Sequence, residues 1–276
     1  MSGARPSQVL ARAARYLERH GVDAPRASAE TLLAATLGTD RAGLFTRATP
    51  LAPAEARAFG RALCARCAGT PLQHLTGEQA FRRLRLTVRP GVFVPRPETE
   101  SLVEIALGEL AASESPVVVD VGTGTGAIAL AIADERRDAR VIAIDRSPDA
   151  VALARENAAR LGLEVEVREG DLLAPVAELA GAVDLVASNP PYVREEELAA
   201  LPAEVRADPL EALVGGPEVI AAIADGARAL LRPGGALVLE IGETQGTEVR
   251  GILAARFSDV RIERDLVGRD RVAVAS

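Results

Sequence analysis

Four consecutive residues, Asn189-Pro190-Pro191-Tyr192, carry the side chains of this sequence that best suit one specific chemistry. They follow an apolar run at 183–187 that predicts a buried strand. The two prolines fix φ and have no N–H group, so the turn between strand and loop is stiff. The side-chain oxygen of Asn189 and the carbonyl oxygen of Pro190 can then point at one place. Two converging acceptors suit a planar –NH2 group, which has two hydrogens to donate.

A conjugated –NH2 group is a poor nucleophile because its lone pair is delocalised, as the rotation barrier of roughly 18–20 kcal/mol in an amide shows. Holding both N–H bonds favours a pyramidal nitrogen and directs its lone pair at an electrophile. Positioning of this kind contributes on the order of 7–11 kcal/mol. Tyr192 would form a wall beside the flat group. The alternative is a proline-rich strand exit in which Asn189 only caps the chain.

A glycine-rich loop precedes this element in the stretch VVVDVGTGTGAIALAIA, between a predicted strand at 117–121 and a predicted helix at 126–136. Glycines permit positive φ and let a ligand touch the backbone, and a helix N-terminus presents free N–H groups. Dinucleotide enzymes use G-x-G-x-x-G. The spacing here is G-x-G-x-G with Asp120 two residues before the first glycine, which resembles motif I of Rossmann-like S-adenosylmethionine methyltransferases. The alternative is a tight turn that binds no ligand.

Two further acids follow the next two predicted strands. Asp145 ends the strand at 141–145, where a carboxylate can accept hydrogen bonds from ribose hydroxyls, or can cap the helix that starts near Pro148. Asp171 can accept from an adenine amino group with Leu172 packed on the ring, or can cap its loop. The predicted cofactor-binding residues are Gly122, Thr123, Gly124, Thr125, Gly126, Asp145, Asp171, Leu172 and Asn189.

The elements that must position these residues alternate between strands and helices from residue 98 onwards. Helices are predicted at 98–110, 126–136, 148–160, 218–231 and 245–256, and strands at 117–121, 141–145, 164–168, 183–187, 236–241, 259–263 and 271–275. This order predicts an α/β fold with a doubly wound, mostly parallel seven-stranded sheet. No helix separates the last two strands, so they are expected to form an antiparallel pair at one edge.

The chain before residue 98 has a different sequence pattern. Helical spacing of apolar residues recurs up to about residue 76, which predicts a small all-helical domain at 1–76. Residues 84–94 alternate apolar and polar side chains around Pro90-Gly91, as in a β-hairpin or a pair of extended strands. The predicted division is therefore a helical domain at 1–76, a junction with a hairpin at 77–97 and a catalytic domain at 98–276.

Composition excludes several classes of protein. The net charge of −7 argues against a binder of duplex DNA, which usually gathers a basic excess. No apolar run reaches the roughly 18 residues of a membrane helix, so a cytoplasmic protein without membrane contact is expected. With His20 and His74 as the only histidines, no zinc site or Ser-His-Asp triad is expected. Cys64 and Cys67 lie in a predicted helix without a second pair, and we expect ordinary thiols.

Asn-Pro-Pro-Tyr resembles the motif of amino-methyltransferases, a group that includes DNA adenine methylases and protein glutamine methylases. Four other stretches resemble the HemK family of release-factor glutamine methyltransferases. They are PLQHLTGEQAF, LTVRPGVFVPRPETE, ALVLEIGETQG and GRDRVAV. Pro217-Glu218 stands where that family usually has an Asp-Gly pair, which bears on the shape of the local loop.

The resemblance implies a substrate and a set of roles. The substrate would be the glutamine of the Gly-Gly-Gln motif in class I peptide release factors, and the product N(5)-methylglutamine. Catalysis would fall to Asn189, Pro190 and Tyr192, with Pro191 completing the substrate site, and the cofactor would be S-adenosylmethionine, with no metal. The helical domain would dock the protein substrate, and the enzyme is expected to be a monomer without direct DNA contact.

Other functions stay open on sequence. They are methylation of a ribosomal-protein glutamine, DNA adenine methylation, a partner protein that binds S-adenosylmethionine without turnover, and an NAD-dependent oxidoreductase on the same fold. Glu98 can touch cofactor or substrate, or simply start a helix. A group of arginines around the junction forms either a solvated face or a basic surface for an acidic partner. Its members are Arg82, Arg83, Arg85, Arg89 and Arg96.

Overall fold

The computed structural model describes residues 3–265 and 267–276. The chain divides into two compact units. The first contains the chain up to Glu78 together with Pro202–Ala207, and the second contains Gln79–Leu201 and Asp208–Ser276. The six residues at 202–207 therefore cluster with the helical unit, although they lie within the range that the sequence assigns to the catalytic domain.

The first unit is built from five helices: α1 (Pro6–Arg19), α2 (Pro25–Leu37), α3 (Arg41–Thr46), α4 (Pro53–Cys67) and α5 (Leu72–Thr76). Their apolar faces enclose a core that includes Val9, Leu33 and Phe59. A buried arginine of α4, Arg66, donates to Thr70 O and forms an ion pair with Glu204. This pair ties residues 202–207 to the helical unit.

A two-stranded sheet, β1 (Glu78–Phe81) and β2 (Leu84–Thr87), follows. The predicted hairpin is present, but its position was wrong: the turn lies at Arg82-Arg83 and not at Pro90-Gly91. Arg82 has a positive φ of 51°. Its backbone N–H donates to Glu100 Oε1 at 3.0 Å, and its guanidinium pairs with Glu135 and Glu104. These partners hold a conformation that arginine rarely adopts.

The remaining elements of the second unit alternate as predicted. Helices are α6 (Thr99–Glu109), α7 (Ala127–Glu135), α8 (Pro148–Leu161), α9 (Leu210–Leu213), α10 (Pro217–Leu230) and α11 (Gly246–Ala254). Strands are β3 (Val117–Val121), β4 (Arg140–Asp145), β5 (Val165–Glu169), β6 (Val183–Ser188), β7 (Leu231–Glu240), β8 (Val260–Arg264) and β9 (Asp270–Ala275). Two short 3₁₀ helices cover Ala174–Leu179 and Glu195–Ala200.

The seven strands lie in the order β5-β4-β3-β6-β7-β9-β8. Strands β3 to β7 pair in parallel, and β9 is antiparallel to both β7 and β8, so the predicted sheet and its antiparallel edge are confirmed. Side chains of β3 alternate between two cores: Val118 faces one, and Val119 and Val121 face the other. The chain reverses its direction across the sheet between β3 and β6, and ligands of such sheets bind at that switch point.

Candidate active site

The glycine loop and the Asn-Pro-Pro-Tyr turn leave the sheet side by side. Strands β3 and β6 are parallel neighbours, and Val121 is opposite Ser188 in their register. The Ser188 hydroxyl donates to the Val121 carbonyl oxygen at 2.7 Å, which pins the two strand ends together. Residues that lie far apart in the chain therefore begin two adjacent loops at the switch point.

The glycine loop has an open backbone with positive φ. The φ angles of Gly122, Gly124 and Gly126 are 71°, 56° and 86°. A Cβ on Gly126 would stand 2.8 Å from Leu130 Cδ1, so this position also needs glycine for space. Within the described part of the chain, the backbone N–H groups of Thr125 and Ala127 have no acceptor. These free donors at the start of α7 fit the carboxylate of a methionine moiety.

Asp120 supports this loop through hydrogen bonds. It is fully buried, and its Oδ2 accepts from the Thr123 hydroxyl at 2.6 Å and from the Ala129 N–H at 3.2 Å. Burial raises the pKa of Asp120 to about 7, against the lowering effect of these two donors. Its Oδ1 has no hydrogen-bond partner among the described residues.

Asp145 accepts two backbone hydrogen bonds. Its Oδ2 accepts from the Gly124 N–H at 2.8 Å, and its Oδ1 accepts from the Ser147 N–H at 2.9 Å. It therefore does brace the start of α8, where the Ser147 hydroxyl caps the helix by accepting from Ala150 N. A carboxylate offers about four acceptor sites, so two remain for a ribose diol. The structure is compatible with both of the roles weighed from the sequence.

Asp171 and Leu172 lie in the loop after β5. The Asp171 side chain is exposed, whereas Leu172 is half-buried against the apolar core on the α10 side of the sheet. Leu172 has a positive φ of 47°. The loop after β5 therefore has an exposed acid next to an apolar side chain, the pair of groups that the sequence predicts beside an adenine ring.

In the Asn-Pro-Pro-Tyr turn, two acceptors have no hydrogen-bond partner among the described residues. Asn189 Nδ2 donates to Thr99 Oγ1 at 3.2 Å, and no hydrogen bond within the described residues ends on Asn189 Oδ1 or on the Pro190 carbonyl oxygen. A Cβ on Gly215 would stand 2.1 Å from the Pro191 carbonyl oxygen. The loop before α10 thus packs directly on the prolines and keeps the turn in place.

Tyr192 is held at both its hydroxyl and its backbone. The hydroxyl donates to Glu240 Oε1 at 3.3 Å, and the Gln245 side chain donates to the Tyr192 carbonyl oxygen at 2.8 Å. Burial, followed by the charge of Glu240, raises the pKa of the Tyr192 phenol well above its usual range. The ring therefore stays neutral and fixed beside Asn189 and the prolines.

Comparison with known proteins identifies the family of this chain. Residues 8–77 match the model of the PrmC N-terminal domain, and residues 83–207 match that of the methyltransferase small domain. A release factor glutamine methyltransferase of Moorella thermoacetica is 44% identical over 97% of each chain. That of Mycolicibacterium smegmatis is 47% identical over 93% of this chain and 92% of the relative. The chain belongs to the family of release factor glutamine methyltransferases. Membership confirms the prediction of an S-adenosylmethionine-dependent methyltransferase.

Solved structures agree on the fold of this family member. The hMettl16 catalytic domain, solved with a MAT2A 3′UTR hairpin, aligns with a TM-score of 0.59 at 13% identity and covers 78% of this chain and 81% of its own. A T. thermophilus 16S rRNA methyltransferase, solved with AdoMet and guanosine, aligns with a TM-score of 0.54 at 23% identity. The alignment covers 72% of this chain and 49% of that methyltransferase. At these identities the likeness shows the methyltransferase fold alone.

Sequence reasoning missed three residues that the structure places at the site of this methyltransferase: Thr99, Glu240 and Gln245. A signal for them existed, because Thr99 lies in PRPETE and the other two lie in ALVLEIGETQG, the stretches that carried the family resemblance. Glu98, which was singled out there, takes the N-cap position of α6 without a side-chain capping bond. Pro217 starts α10 directly after Gly216, so the departure from the family's Asp-Gly pair is accommodated as a helix start.

The junction arginines are largely neutralised by carboxylates of the same unit. Besides Arg82, the ion pairs are Arg83–Glu135, Arg89–Glu156 and Arg96–Asp208. Paired guanidinium groups offer little net charge to an acidic partner. The structure therefore favours a structural role for these arginines over the basic docking surface. Among the described residues, no group of three or more His, Cys, Asp or Glu side chains could hold a metal ion, and no helix is long and apolar enough to cross a membrane.

Proposed function

We propose that this protein transfers a methyl group from S-adenosylmethionine to the side-chain amide nitrogen of the glutamine in the Gly-Gly-Gln motif of class I release factors, forming N(5)-methylglutamine. The observation that carries the proposal is a pair of acceptors on a turn stiffened by two prolines: Asn189 Oδ1 and Pro190 O accept no hydrogen bond from the described part of the chain. The names of the relatives, which specify a release factor glutamine, support the choice of acceptor.

Asn189 and Pro190 would hold the substrate amide by its two N–H bonds. A primary amide has two hydrogens, and each would be accepted by one of these oxygens. S-adenosylmethionine, when bound, supplies an electrophilic methyl group. Holding both N–H bonds turns the nitrogen lone pair away from the acceptors, and this alignment supplies part of the roughly 7–11 kcal/mol available from positioning.

The side chains around the amide suit a neutral nucleophile. Asn189 accepts without placing a buried charge beside the amide. The neutral ring of Tyr192 would lie along the flat amide and exclude water. No general base is required before methyl transfer, because the alkylated amide nitrogen is strongly acidic and loses its extra proton to solvent water once the product leaves the turn.

The residues that would hold the cofactor fall in three loops at the same edge of the sheet. The glycine loop, with Thr123 and Thr125, would contact the methionine part, Asp145 the ribose, and Asp171 with Leu172 the adenine. Asn189, at the end of β6, would border the methyl group. The open backbone of the glycine loop supports this assignment, as do the N–H groups of Thr125 and Ala127, for which the described residues provide no acceptor.

We assign substrate docking to the helical domain, for which we retain the boundaries 1–76, with a junction at 77–97 and the catalytic domain at 98–276. The enzyme is proposed to act as a monomer in the cytoplasm, where release factors meet ribosomes. Hydrogen exchange checks the docking role: addition of release factor should protect amides of the helical domain. Protection confined to residues beyond 98 would assign docking elsewhere.

The decisive experiment offers labelled S-adenosylmethionine and three acceptors in parallel: a purified release factor, ribosomal proteins and adenine-containing DNA. Label is expected in the release factor alone, and mass mapping should place it on the glutamine side chain. DNA belongs in the test because adenine also presents a conjugated –NH2 group. Label in ribosomal protein or DNA, with none in the release factor, would overturn the proposal.

A further inference from the structure

The orientation of the Asn189 amide decides whether the site can hold its substrate. With Oδ1 toward the substrate, Asn189 accepts a hydrogen bond; turned over by 180°, it would present Nδ2, a donor facing a donor. The two orientations have the same shape, so packing alone does not distinguish them. A hydrogen-bond partner must do so.

Thr99 is that partner. It is the first residue of α6, is 3% exposed, and its Oγ1 accepts from Asn189 Nδ2 at 3.2 Å. A hydroxyl group has one hydrogen, however, and could equally donate it to an Asn189 oxygen after a flip. Thr99 therefore selects the orientation only if its own proton is engaged elsewhere.

Glu240 can take that proton. It is the last residue of β7, is 1% exposed, and accepts from the Tyr192 hydroxyl on Oε1. Its Oε2 is buried, and no hydrogen bond from the described residues ends on it. Burial raises the pKa of Glu240, and the neighbouring Thr99 hydroxyl is the first of the groups that lower it again. Thr99 has a proton to donate and Glu240 Oε2 has a vacant acceptor position.

We propose that Thr99 and Glu240 are positioning residues that act as a relay: Glu240 accepts the Thr99 proton, Thr99 accepts from Asn189 Nδ2, and Asn189 Oδ1 is thereby held toward the substrate amide. Glu240 also accepts from Tyr192. The Glu240 carboxyl group thus orients two side chains of the Asn-Pro-Pro-Tyr turn. It orients Asn189 through the Thr99 hydroxyl and Tyr192 through the phenol hydroxyl.

This inference rests on the proposed methyl transfer, and its test compares Thr99→Val with Thr99→Ser in release-factor methylation. Valine keeps the shape without the hydroxyl, and serine keeps the hydroxyl. Thr99→Val should lower kcat about 10–100-fold, because a misplaced catalytic group costs on this scale. Thr99→Ser should stay within about threefold of the wild type, and the affinity for S-adenosylmethionine should be unchanged in both.

A second comparison separates orientation from general packing. Aspartate has two equivalent oxygens, so an Asn189→Asp variant has no wrong orientation. Adding Thr99→Val to Asn189→Asp should then cost less than about threefold, whereas a role in packing alone would cost the same in both backgrounds. Equal losses in the two backgrounds, a wild-type kcat in Thr99→Val, or equal losses in the valine and serine variants would each overturn the relay.

The network also predicts an order among its other members. Glu240→Gln keeps one acceptor oxygen but places an NH2 donor opposite one of the two hydroxyls, so one hydroxyl can no longer donate to residue 240. It should lower kcat more than Tyr192→Phe, which removes only one arm and keeps the ring. The reverse order would contradict the relay. Absence of methylation by the wild-type enzyme would instead contradict the proposed function, so the two failures are distinguishable.

Discussion

The two loops that leave β3 and β6 use opposite means to build adjacent parts of one site. The glycine loop has three positive φ angles and an open backbone, whereas the Asn-Pro-Pro-Tyr turn has two prolines that fix φ. The first presents backbone N–H donors, and the second presents two acceptor oxygens, Asn189 Oδ1 and Pro190 O, with prolines that have no N–H group. Each loop is supported by a buried carboxyl group, Asp120 for the glycine loop and Glu240 for the Asn-Pro-Pro-Tyr turn. One oxygen of each, Asp120 Oδ1 and Glu240 Oε2, has no hydrogen-bond partner among the described residues.

The difference fits what we propose that each loop holds. A cofactor with a carboxylate needs N–H groups, which glycines expose by letting the backbone approach. An amide that is to be turned as well as bound needs acceptors whose positions do not relax, which prolines provide. The comparison therefore predicts that changes in the glycine loop act on cofactor affinity, and that changes in the proline turn act on turnover.

The largest effect is expected for Asn189→Ala. Loss of one preorganised hydrogen-bonding group should lower kcat roughly 10²–10³-fold. The affinity for S-adenosylmethionine, measured by calorimetry, should stay within about tenfold, or 1.4 kcal/mol. An equal loss in affinity and turnover would erase the distinction between the two loops.

The buried carboxyl group of Asp120, which supports the glycine loop, should make folding stability depend on pH. Burial raises the pKa of Asp120 from 3.8 to about 7, so between these values the folded form holds a proton that the unfolded chain has lost. Stability from this group is therefore complete below pH 3.8 and is lost as pH rises through about 7, by roughly 2–4 kcal/mol in all. Urea unfolding at pH 5 and pH 8 measures the part of this loss that falls above pH 5. Because burial also raises the pKa of Glu240, Asp120→Asn should make the slope smaller without removing it, and a slope equal to that of the wild type would contradict the assignment.

Asp145→Ala should weaken S-adenosylmethionine binding roughly 10–100-fold, as expected for lost hydrogen bonds to a charged group of about 1.5–3 kcal/mol. The kcat at saturating cofactor should change much less. Asp145→Asn keeps one acceptor and serves as the matched control, with an intermediate affinity. If Asp145→Ala left the affinity for S-adenosylmethionine unchanged, the role of this residue would be limited to its hydrogen bonds with the Gly124 and Ser147 N–H groups.

Gly215→Ala tests the stiffness of the proline turn with the smallest chemical change. The added methyl group would meet the Pro191 carbonyl oxygen at 2.1 Å, so the turn must shift. We expect kcat to fall on the order of tenfold, since small displacements of reacting groups are costly. Gly251→Ala, at a helical position with open space, should leave kcat unchanged. Equal activity of the two variants would show that the turn tolerates displacement.

The sheet and the chemistry of its loops could be predicted from the sequence because their signals are local. The apolar run at Val117–Val121 is bounded by turn residues, and it forms β3 with the predicted ends. The hairpin turn at Arg82 was not predictable in this way. Nothing in the residues at 82–83 favours a positive φ, and the conformation depends on Glu100, Glu104 and Glu135 from two later helices.

The sequence by itself determined the two groups that we propose for substrate and cofactor: an acceptor turn with two prolines, and a glycine loop between strand and helix. Residue types and short spacings suffice for that, because proline and glycine act on the backbone where they stand. Only the tertiary structure decided how these groups are aimed. Asn189 is oriented by Thr99 and Glu240, which come from other segments, and hydrogen-bond partners of this kind are set by the folded chain and not by spacing along it.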